Sequence, residues 1–298
     1  MKKVFVVYNP VSGLRKMRNL RPVIEKRLIK LGCEYEVYET QKENNDFSGM
    51  LMSDYDVILA VGGDGTVADV ADYVVKHDIK ASLGIVGTGS TNLLALSLKI
   101  PVVNSSAAVD FAVNNEGKAM DVGLANGRVF LIAAGKGYDN VFMTGATREM
   151  KRKIGFLAYV WSFFTTYLAH PKCKYQIEID GYSHEVEAKT VLVFNFLRLS
   201  EKKLGPGFKP DDGVFEVVAM NPTSLWSLIR IGLFLLLRKE KHTHPKITFF
   251  EARSSVKIHS DADRGYQIDG DVLDDTGDLD ITVMKRRLNV VYCSTSSK

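Results

Sequence analysis

Cysteine is scarce in this 298-residue sequence, and its three cysteines, Cys33, Cys173 and Cys293, are widely spaced and fit no metal-ligand pattern. This usage excludes a disulfide framework and a cysteine-ligated metal centre, and it indicates thiols in a reducing compartment. Long apolar runs are also missing, since none approaches the roughly 20 residues that span a bilayer as a helix. The apolar start is too short for a signal peptide and is expected to be a strand. We therefore expect a cytoplasmic protein that meets any lipid at the membrane surface.

Excess charge of either sign is missing as well. The net charge is only +4, which is too small to indicate nucleic-acid binding by bulk electrostatics but leaves room for a basic patch facing anionic lipid. Basic residues at 148–153 precede the aromatic-rich run 154–167, and others at 238–242 follow the apolar run 225–237. Each apolar or aromatic run, together with its basic cluster, is interpreted either as an interfacial segment or as a core-facing helix with solvated ends.

The most informative stretch is the junction between an apolar run and a glycine turn. Residues 57–61 are continuously apolar and predict a buried strand, and the turn 62–66 (Gly-Gly-Asp-Gly-Thr) follows at once. Residues 66–76 then carry valine and alanine at helical spacing. A strand, a glycine turn and a helix N-terminus together collect backbone N–H groups around a phosphate.

Two similar junctions occur elsewhere in the first third of the chain. Strand-like residues 4–8 lead into 9–13 (Asn-Pro-Val-Ser-Gly), and residues 83–86 lead into 87–92 (Gly-Thr-Gly-Ser-Thr-Asn). In an open parallel sheet all three turns lie at the carboxyl edge, where such sheets bind ligands. The alternative is that the glycines serve turn geometry alone.

The order of the elements predicts two domains. Alternating strands and helices up to about residue 121 predict an α/β domain with a parallel, doubly wound sheet. Short β-like runs dominate from there on and predict a mainly antiparallel β domain with inserted helices at 141–169 and 222–239. We expect domains at 1–121 and 122–285, followed by a terminal strand at about 286–298.

Five motifs resemble the catalytic family of diacylglycerol kinases, specifically its soluble bacterial lipid kinases. They lie at 9–13, 62–66, 87–92, 204–213 and 269–271, in the family's order and over nearly the whole chain. The turn at 62–66 alone is also similar to those of NAD kinases and phosphofructokinases. The return of the chain's end to the first domain is likewise implied by the resemblance.

The resemblance implies a nucleotide site built on the three turns. Its ATP-binding positions are Asn9, Ser12, Gly13, Thr40, Gly62, Gly63, Asp64, Gly65, Thr66, Val67, Ala68 and Thr88. A carboxylate as close to phosphates as that of Asp64 is unfavourable unless a cation intervenes, which argues for Mg²⁺ between them. The alternative for Asp64 is a hydrogen bond within its own turn.

Residues 209–214 carry a second implied metal site. By resemblance, Asp212 supplies a carboxylate and Lys209 and Val214 supply backbone carbonyls to a structural Mg²⁺, which is an oxygen-only set that suits a hard cation. This ion would brace the second domain without joining the phosphoryl transfer. The alternative is a plain turn, because adjacent aspartates before a glycine favour one.

The general base is expected at 269–271 (Asp-Gly-Asp). The family usually carries glutamate where this chain has Asp271, and the shorter side chain withdraws the carboxylate by roughly 1.5 Å, where a misplacement of about 1 Å can lower the rate about 100-fold. Either the backbone compensates or Asp269 shares the role. The alternative is a hairpin turn. The chain also departs from the family at Ala68-Asp69, in place of an Asn-Glu pair, and at the loop 200–207.

The resemblance thus implies an ATP- and Mg²⁺-dependent lipid kinase that acts at the membrane surface, with diacylglycerol as the leading acceptor and other glycerolipids or sphingoid lipids as further ones. Nucleic acid is not an expected partner, and a homodimer is compatible with the sequence. Two alternatives stay open. One is an NAD kinase-like enzyme, and the other is a nucleotide-binding regulatory protein that has lost catalysis.

Overall fold

The structure is a computed structural model that describes residues 1–12, 20–41, 45–137, 172–196, 209–221, 224, 226–227, 230, 245–262, 265–273 and 277–293. The chain divides into two compact units, Met1–Val122 with Lys285–Lys298, and Gly123–Met284. The helix expected at 141–169 lies outside the described residues. So does most of the helix expected at 222–239, and so does the loop 200–207.

The first unit is built on a parallel sheet. Its strands are β1 (Lys3–Tyr8), β2 (Glu34–Glu39), β3 (Val57–Gly62), β4 (Ser82–Gly87) and β5 (Lys118–Ala125). The order is β2-β1-β3-β4, and every pair in it is parallel. Strand β3 is buried along its whole length, as expected for a central strand with both faces covered, whereas the edge strand β2 is exposed at alternate positions. The predicted parallel α/β architecture is confirmed.

Helices connect these strands. They are α1 (Arg21–Lys30), α2 (Asp64–Lys76), α3 (Leu93–Ser97) and α4 (Ser105–Asn114), with a 3₁₀ turn at Ser48–Leu51. The sequence analysis did not identify α4, although its cap is readable. Asn104 precedes the helix, and its side chain accepts a hydrogen bond from the Ala107 N–H at 3.2 Å. Helix α4 packs close to β4 at Gly84, where an added Cβ would lie 2.7 Å from the Ala112 Cβ.

The second unit is an antiparallel β sandwich. Its strands are β6 (Arg128–Phe130), β7 (Ala133–Gly137), β8 (Cys173–Ile179), β9 (Tyr182–Ala188), β10 (Thr190–Phe194), β11 (Phe215–Met220), β12 (Ile247–Ala252), β13 (Ser255–Ser260), β14 (Tyr266–Ile268), β15 (Asp271–Leu273) and β16 (Leu279–Val290). One layer runs β12-β11-β10-β7-β14-β15, and the other contains β16-β13-β8-β9. Buried side chains such as Phe130, Tyr175 and Phe215 fill the core between them. The predicted antiparallel β architecture is confirmed.

The hairpin expected at Asp180-Gly181 joins β8 to β9. Both residues have positive φ angles, 51° and 88°, as a tight two-residue turn requires. The Asp180 carboxylate accepts hydrogen bonds from the N–H groups of Arg253, Ser254 and Ser255 at 2.8–2.9 Å. Burial opposes ionisation, but the bonds from these residues hold the pKa of Asp180 at about 2. This carboxylate therefore fixes the neighbouring turn between β12 and β13.

Strand β16 differs from the sequence expectation. The sequence analysis expected a separate terminal strand at about 286–298, whereas in the structure the strand begins at Leu279, and three exposed residues, Lys285, Arg286 and Arg287, interrupt its alternation of buried and exposed positions. The structure has one continuous strand, and the φ of 50° at Arg286 accommodates the interrupted alternation. The Arg286 N–H donates to Oδ1 of the buried Asp121 at 2.7 Å, so the interruption is fixed by a tertiary contact.

Candidate active site

Three loops of the first unit meet at the carboxyl ends of β1, β3 and β4. The Asn9 side-chain amide donates to the Thr66 hydroxyl at 2.8 Å, and the Thr88 hydroxyl donates to that of Ser12 at 2.9 Å. The Thr88 N–H donates to the Gly62 carbonyl at 2.8 Å. The structure therefore brings the three predicted turns into direct contact at one edge of the sheet.

The contact between two of these loops is made by glycine against glycine. A Cβ added at Gly89 would lie 2.8 Å from the Gly63 Cα, and a Cβ added at Gly63 would lie 3.4 Å from the Gly89 Cα. Any side chain at Gly89 would push the loops apart. The Asn92 side chain closes this loop, since its Oδ1 accepts the Gly89 N–H at 2.8 Å and its Nδ2 donates to the Gly89 carbonyl at 3.0 Å.

The start of α2 presents backbone N–H groups at this edge. The first bond of the helix runs from the Val67 N–H to the Gly63 carbonyl at 3.1 Å. Gly63, the N-cap, has no side chain, and within the described part of the chain no side chain caps the helix. The N–H groups of Asp64, Gly65 and Thr66 are those that a helix leaves without internal partners. Together with the positive end of the helix dipole, they form a site suited to a phosphate.

Asp64 is the first residue of α2 and is half-buried. Its Oδ1 accepts the Leu94 N–H at a long 3.3 Å, which links the start of α2 to α3. Among the described residues, Oδ2 has no recorded partner. A carboxylate oxygen that remains available beside a phosphate-binding edge fits a hard cation, which prefers oxygen ligands. The observed bond therefore joins Asp64 to another loop and not to its own turn at 62–66, and the second oxygen is available for a metal.

The remaining predicted nucleotide positions divide into exposed and buried ones. Gly65 is exposed, and a Cβ added there would meet no atom within 4 Å. The side chains of Val67 and Ala68 are buried, so any contact of these two positions with a nucleotide would be through the backbone. The Thr40 N–H donates to the Tyr8 carbonyl at 2.9 Å, which places Thr40 beside the start of the Asn9 turn. Gly13 lies outside the described residues.

The predicted base motif belongs to the second unit and forms a hairpin turn between β14 and β15. Ile268 pairs with Asp271 across the turn, and Asp269 and Gly270 have φ angles of 48° and 87°. The hairpin turn that the sequence analysis gave as the alternative for 269–271 is therefore present. It does not decide the chemistry, because a carboxylate that flanks a tight turn can still serve as a base.

The two carboxylates of this turn lie in different surroundings. Asp269 accepts hydrogen bonds from the N–H groups of Leu131, Ile132 and Ala133 at 2.7–3.0 Å. Burial raises the pKa of Asp269 to about 6, against the opposing effect of these bonds and of Arg128. Both Asp269 oxygens are engaged by backbone N–H groups, so this side chain holds the turn against the segment before β7.

Asp271 is the more accessible carboxylate, and 54% of its side chain is exposed. The Arg128 guanidinium, which is 28% exposed, donates to its Oδ2 at 2.6 Å. The sequence analysis did not identify Arg128. The only local signal for Arg128 in the sequence is its position directly after the Asn126-Gly127 turn. That signal does not indicate a partner 143 positions away.

The proposed structural metal residues form a closed turn. The Lys209 N–H donates to Asp212 Oδ2 at 3.1 Å, and the Val214 N–H donates to Oδ1 at 3.0 Å. Backbone N–H groups therefore face the carboxylate directly, as in the turn interpretation. A carboxylate oxygen carries two lone pairs, so these two bonds do not by themselves exclude a cation. The described segments contain no cluster of three or more histidine, cysteine, aspartate or glutamate side chains that could hold a metal ion.

Across the described residues, no helix is long and apolar enough to cross a membrane. The first unit thus has a sheet edge that is suited to a phosphate, with the Asp64 carboxylate beside it. The second unit, taken by itself, has two aspartates in contrasting surroundings, one bound by backbone N–H groups and one accessible.

Two family models match the chain over most of its length. The Diacylglycerol kinase catalytic domain matches residues 3–125, and the YegS C-terminal NAD kinase beta sandwich-like domain matches residues 133–292. The diacylglycerol kinase of Staphylococcus saprophyticus is 28% identical over 274 residues, which cover 91% of this chain and 89% of that protein. The diacylglycerol kinase of Bacillus subtilis (strain 168) is 26% identical over 283 residues, which cover 91% and 90%.

Solved structures share the fold. A diacylglycerol kinase from Bacillus anthracis str. Sterne superimposes with a TM-score of 0.71, at 19% identity, over 99% of this chain and 98% of that one. At this identity the likeness concerns the fold alone.

Proposed function

The chain belongs to the diacylglycerol kinase catalytic family, and from that premise we propose that it transfers the γ-phosphoryl group of ATP to the hydroxyl of a lipid. The observation that carries the proposal is the start of α2, where three backbone N–H groups face the carboxyl edge of a parallel sheet. Phosphoryl transfer depends on a positioned nucleotide, neutralised phosphate charge and a base near the acceptor.

The nucleotide phosphates bind at the α2 N-terminus in this proposal. The Asn9 amide holds the glycine turn through the Thr66 hydroxyl, and the Thr88 N–H holds it through the Gly62 carbonyl. The bond from the Thr88 hydroxyl to that of Ser12 joins the other two loops, so the three loops support one another. Because Gly63 and Gly89 lack side chains, their two loops can approach each other closely at the edge of the sheet.

Asp64 holds a divalent cation, Mg²⁺ in this proposal, against the phosphates. Its Oδ2 is the ligand, while its Oδ1 stays bonded to the Leu94 N–H and fixes the side chain. When bound, the ion neutralises charge that develops on the phosphate oxygens. The helix dipole already favours anions at this point, so the carboxylate and the phosphates share one positive environment.

Asp271 accepts the proton of the lipid hydroxyl. It is the accessible carboxylate of the hairpin, whereas Asp269 is engaged by three backbone N–H groups. A carboxylate with a free face can reach a hydroxyl, and such a base contributes about 10²–10⁴-fold to the rate. Sharing of the role by Asp269 is less favoured, because proton uptake there would compete with its backbone bonds.

The acceptor is a membrane lipid, with diacylglycerol, giving phosphatidic acid, as the first choice. The names of the curated relatives support this choice of acceptor. The enzyme would then act at the membrane surface rather than within the bilayer. Asp212, with the carbonyls of Lys209 and Val214, holds a structural Mg²⁺ in the same proposal, and the two backbone bonds to the carboxylate pre-form that turn.

Turnover of ATP with a panel of acceptors in mixed micelles tests the proposal. The panel contains diacylglycerol, monoacylglycerol, a sphingoid base and, without micelles, NAD. Phosphorylation of a lipid and not of NAD supports the lipid kinase. Phosphorylation of NAD alone would favour the NAD kinase-like alternative, with which the match to an NAD kinase beta sandwich-like domain is compatible. ATP binding without transfer to any acceptor would favour a regulatory protein.

A further inference from the structure

The carboxylates at both ends of the 269–271 turn bind one short segment of the same unit. Asp269 binds the backbone N–H groups of residues 131–133, and Asp271 binds the side chain of Arg128. The hairpin is therefore attached at two points to the stretch 128–133. The first attachment fixes the backbone of the turn, and the second fixes the orientation of the Asp271 side chain.

Arg128 itself is held by a rigid hairpin. It follows the tight turn Asn126-Gly127, whose φ angles are 45° and 80°, and pairs with Ala125 across it. The Asn126 side chain accepts the Asp280 N–H at 2.8 Å and donates to the Asp278 carbonyl at 3.0 Å. The Asn126 N–H donates to the Asp280 carbonyl at 2.9 Å. The strand that carries the guanidinium is thus anchored to the start of β16.

We propose that Arg128 is the positioning residue for the Asp271 carboxylate, an inference that rests on the proposed role of Asp271 as base. The backbone of Asp271 is fixed by its pairing with Ile268 and by the two-residue turn. Its carboxylate is half-exposed and can rotate about the side-chain bonds. Among the described residues, the charged contact of Asp271 is the one from Arg128 to Oδ2, which selects one orientation and leaves Oδ1 for the acceptor hydroxyl.

A purely structural role for this ion pair would appear as a lower melting temperature when the guanidinium is removed. Exposed ion pairs contribute little to folding stability, so we expect the melting temperature to change hardly at all. Misplacement of a reacting group by about 1 Å, in contrast, can lower the rate about 100-fold. The effect of Arg128 is therefore expected in kcat, with folding and the KM for ATP nearly unchanged.

The experiment compares Arg128→Gln, Arg128→Lys, Asp271→Asn and the double variant Arg128→Gln with Asp271→Asn, all in the full chain with diacylglycerol micelles. The matched control is Arg253→Gln, which removes an exposed guanidinium paired with Glu251 at 3.0 Å elsewhere in the unit. We expect Arg128→Gln to lower kcat about 10–100-fold. Arg128→Lys should fall between it and the parent, because lysine retains the charge without the planar fork. The control should keep the parental kcat.

The double variant gives the decisive readout. If Arg128 acts through Asp271, Arg128→Gln should cause no further loss once Asp271→Asn is present. An equal loss in both backgrounds would overturn the positioning role, and so would a parental kcat in Arg128→Gln. Should Arg128→Gln fail to fold, a parental kcat in Arg128→Lys would overturn it instead.

The same measurements distinguish a failure of the proposed function from a failure of the positioning role. A parent that phosphorylates no lipid overturns both proposals. Parental turnover in Asp271→Asn removes Asp271 as the base, and with it the role of Arg128. An active parent that loses turnover in Asp271→Asn but not in Arg128→Gln overturns the positioning role alone.

Discussion

Gly65 offers a test that separates phosphate binding from folding. It is exposed in the first turn of α2, has no positive φ, and a Cβ added there would meet no protein atom within 4 Å. Gly65→Ala should therefore fold without strain. If the α2 N-terminus binds phosphates through its backbone N–H groups, however, the open space around Gly65 belongs to the nucleotide, and a methyl group there should weaken ATP binding.

The magnitudes follow from the surroundings of each glycine. Replacing glycine by alanine in a helix stabilises a protein by up to about 0.5–1 kcal/mol, so Gly65→Ala should leave the free energy of unfolding equal or raise it. A loss of about tenfold or more in ATP affinity corresponds to at least about 1.4 kcal/mol. Gly62→Ala is the contrasting variant, because its Cβ would lie 2.4 Å from the Thr66 side chain. We expect that overpacking to destabilise the fold by about 1–3 kcal/mol.

Urea unfolding measures stability, and calorimetric titration with ATP and Mg²⁺ measures affinity. The expected pattern is a Gly65→Ala protein that is as stable as the parent and binds ATP more weakly, beside a Gly62→Ala protein that is less stable. A Gly65→Ala protein with parental ATP affinity would refute phosphate binding at the α2 N-terminus. Destabilisation of Gly65→Ala would show that the space around Gly65 is occupied by protein.

Three further predictions concern carboxylates. Asp64→Asn should abolish most ATP turnover with the melting temperature nearly unchanged, and wild-type turnover at saturating Mg²⁺ would remove Asp64 from the mechanism. Asp212→Ala should reduce the gain in melting temperature on adding Mg²⁺, because an ion stabilises only the state that binds it; an equal gain in parent and variant would contradict the site. The pKa of Asp180 is lowered to about 2, so its contribution is complete above about pH 4 and is lost as the pH falls towards 2. After a discount for partial exposure we expect about 1–2 kcal/mol, and urea unfolding of Asp180→Asn should lack this part of the acid dependence.

The meeting of the three loops at one edge of the sheet was predictable because its signals are local. Each loop follows a run of apolar residues and carries its own glycines, and parallel strands bring such loops to one edge whatever the details of packing. The pairs that join the loops were not predictable. The Asn9 amide meets a threonine 57 positions away, and no spacing rule connects them. Burial was not predictable from the motif either. The motif match includes Val67 and Ala68, and the structure shows that their side chains are buried.

The second unit was harder to derive because its site depends on side-chain partners from distant strands. Asp-Gly at 269–270 predicted a turn, and the turn is present. The difference between its two aspartates arises from residues 131–133, which the pairing of β7 with β14 brings close, and from Arg128, which lies on β6. None of these residues is near the turn in sequence. Burial and hydrogen bonding, not residue type, separate the roles of two identical carboxylic acids.

The geometry of the 269–271 turn limits how the proposed base, Asp271, can compensate for being shorter than glutamate. Aspartate in place of the family's glutamate requires compensation, and a shift of the backbone was one route. That route is restricted here, since Ile268 pairs with Asp271, the turn has only two residues, and Asp269 ties the turn to three backbone N–H groups. A backbone held at these points cannot advance by the length of a methylene without losing buried bonds. The remaining freedom lies in the orientation of the Asp271 side chain, and the contact that sets this orientation is the one with Arg128.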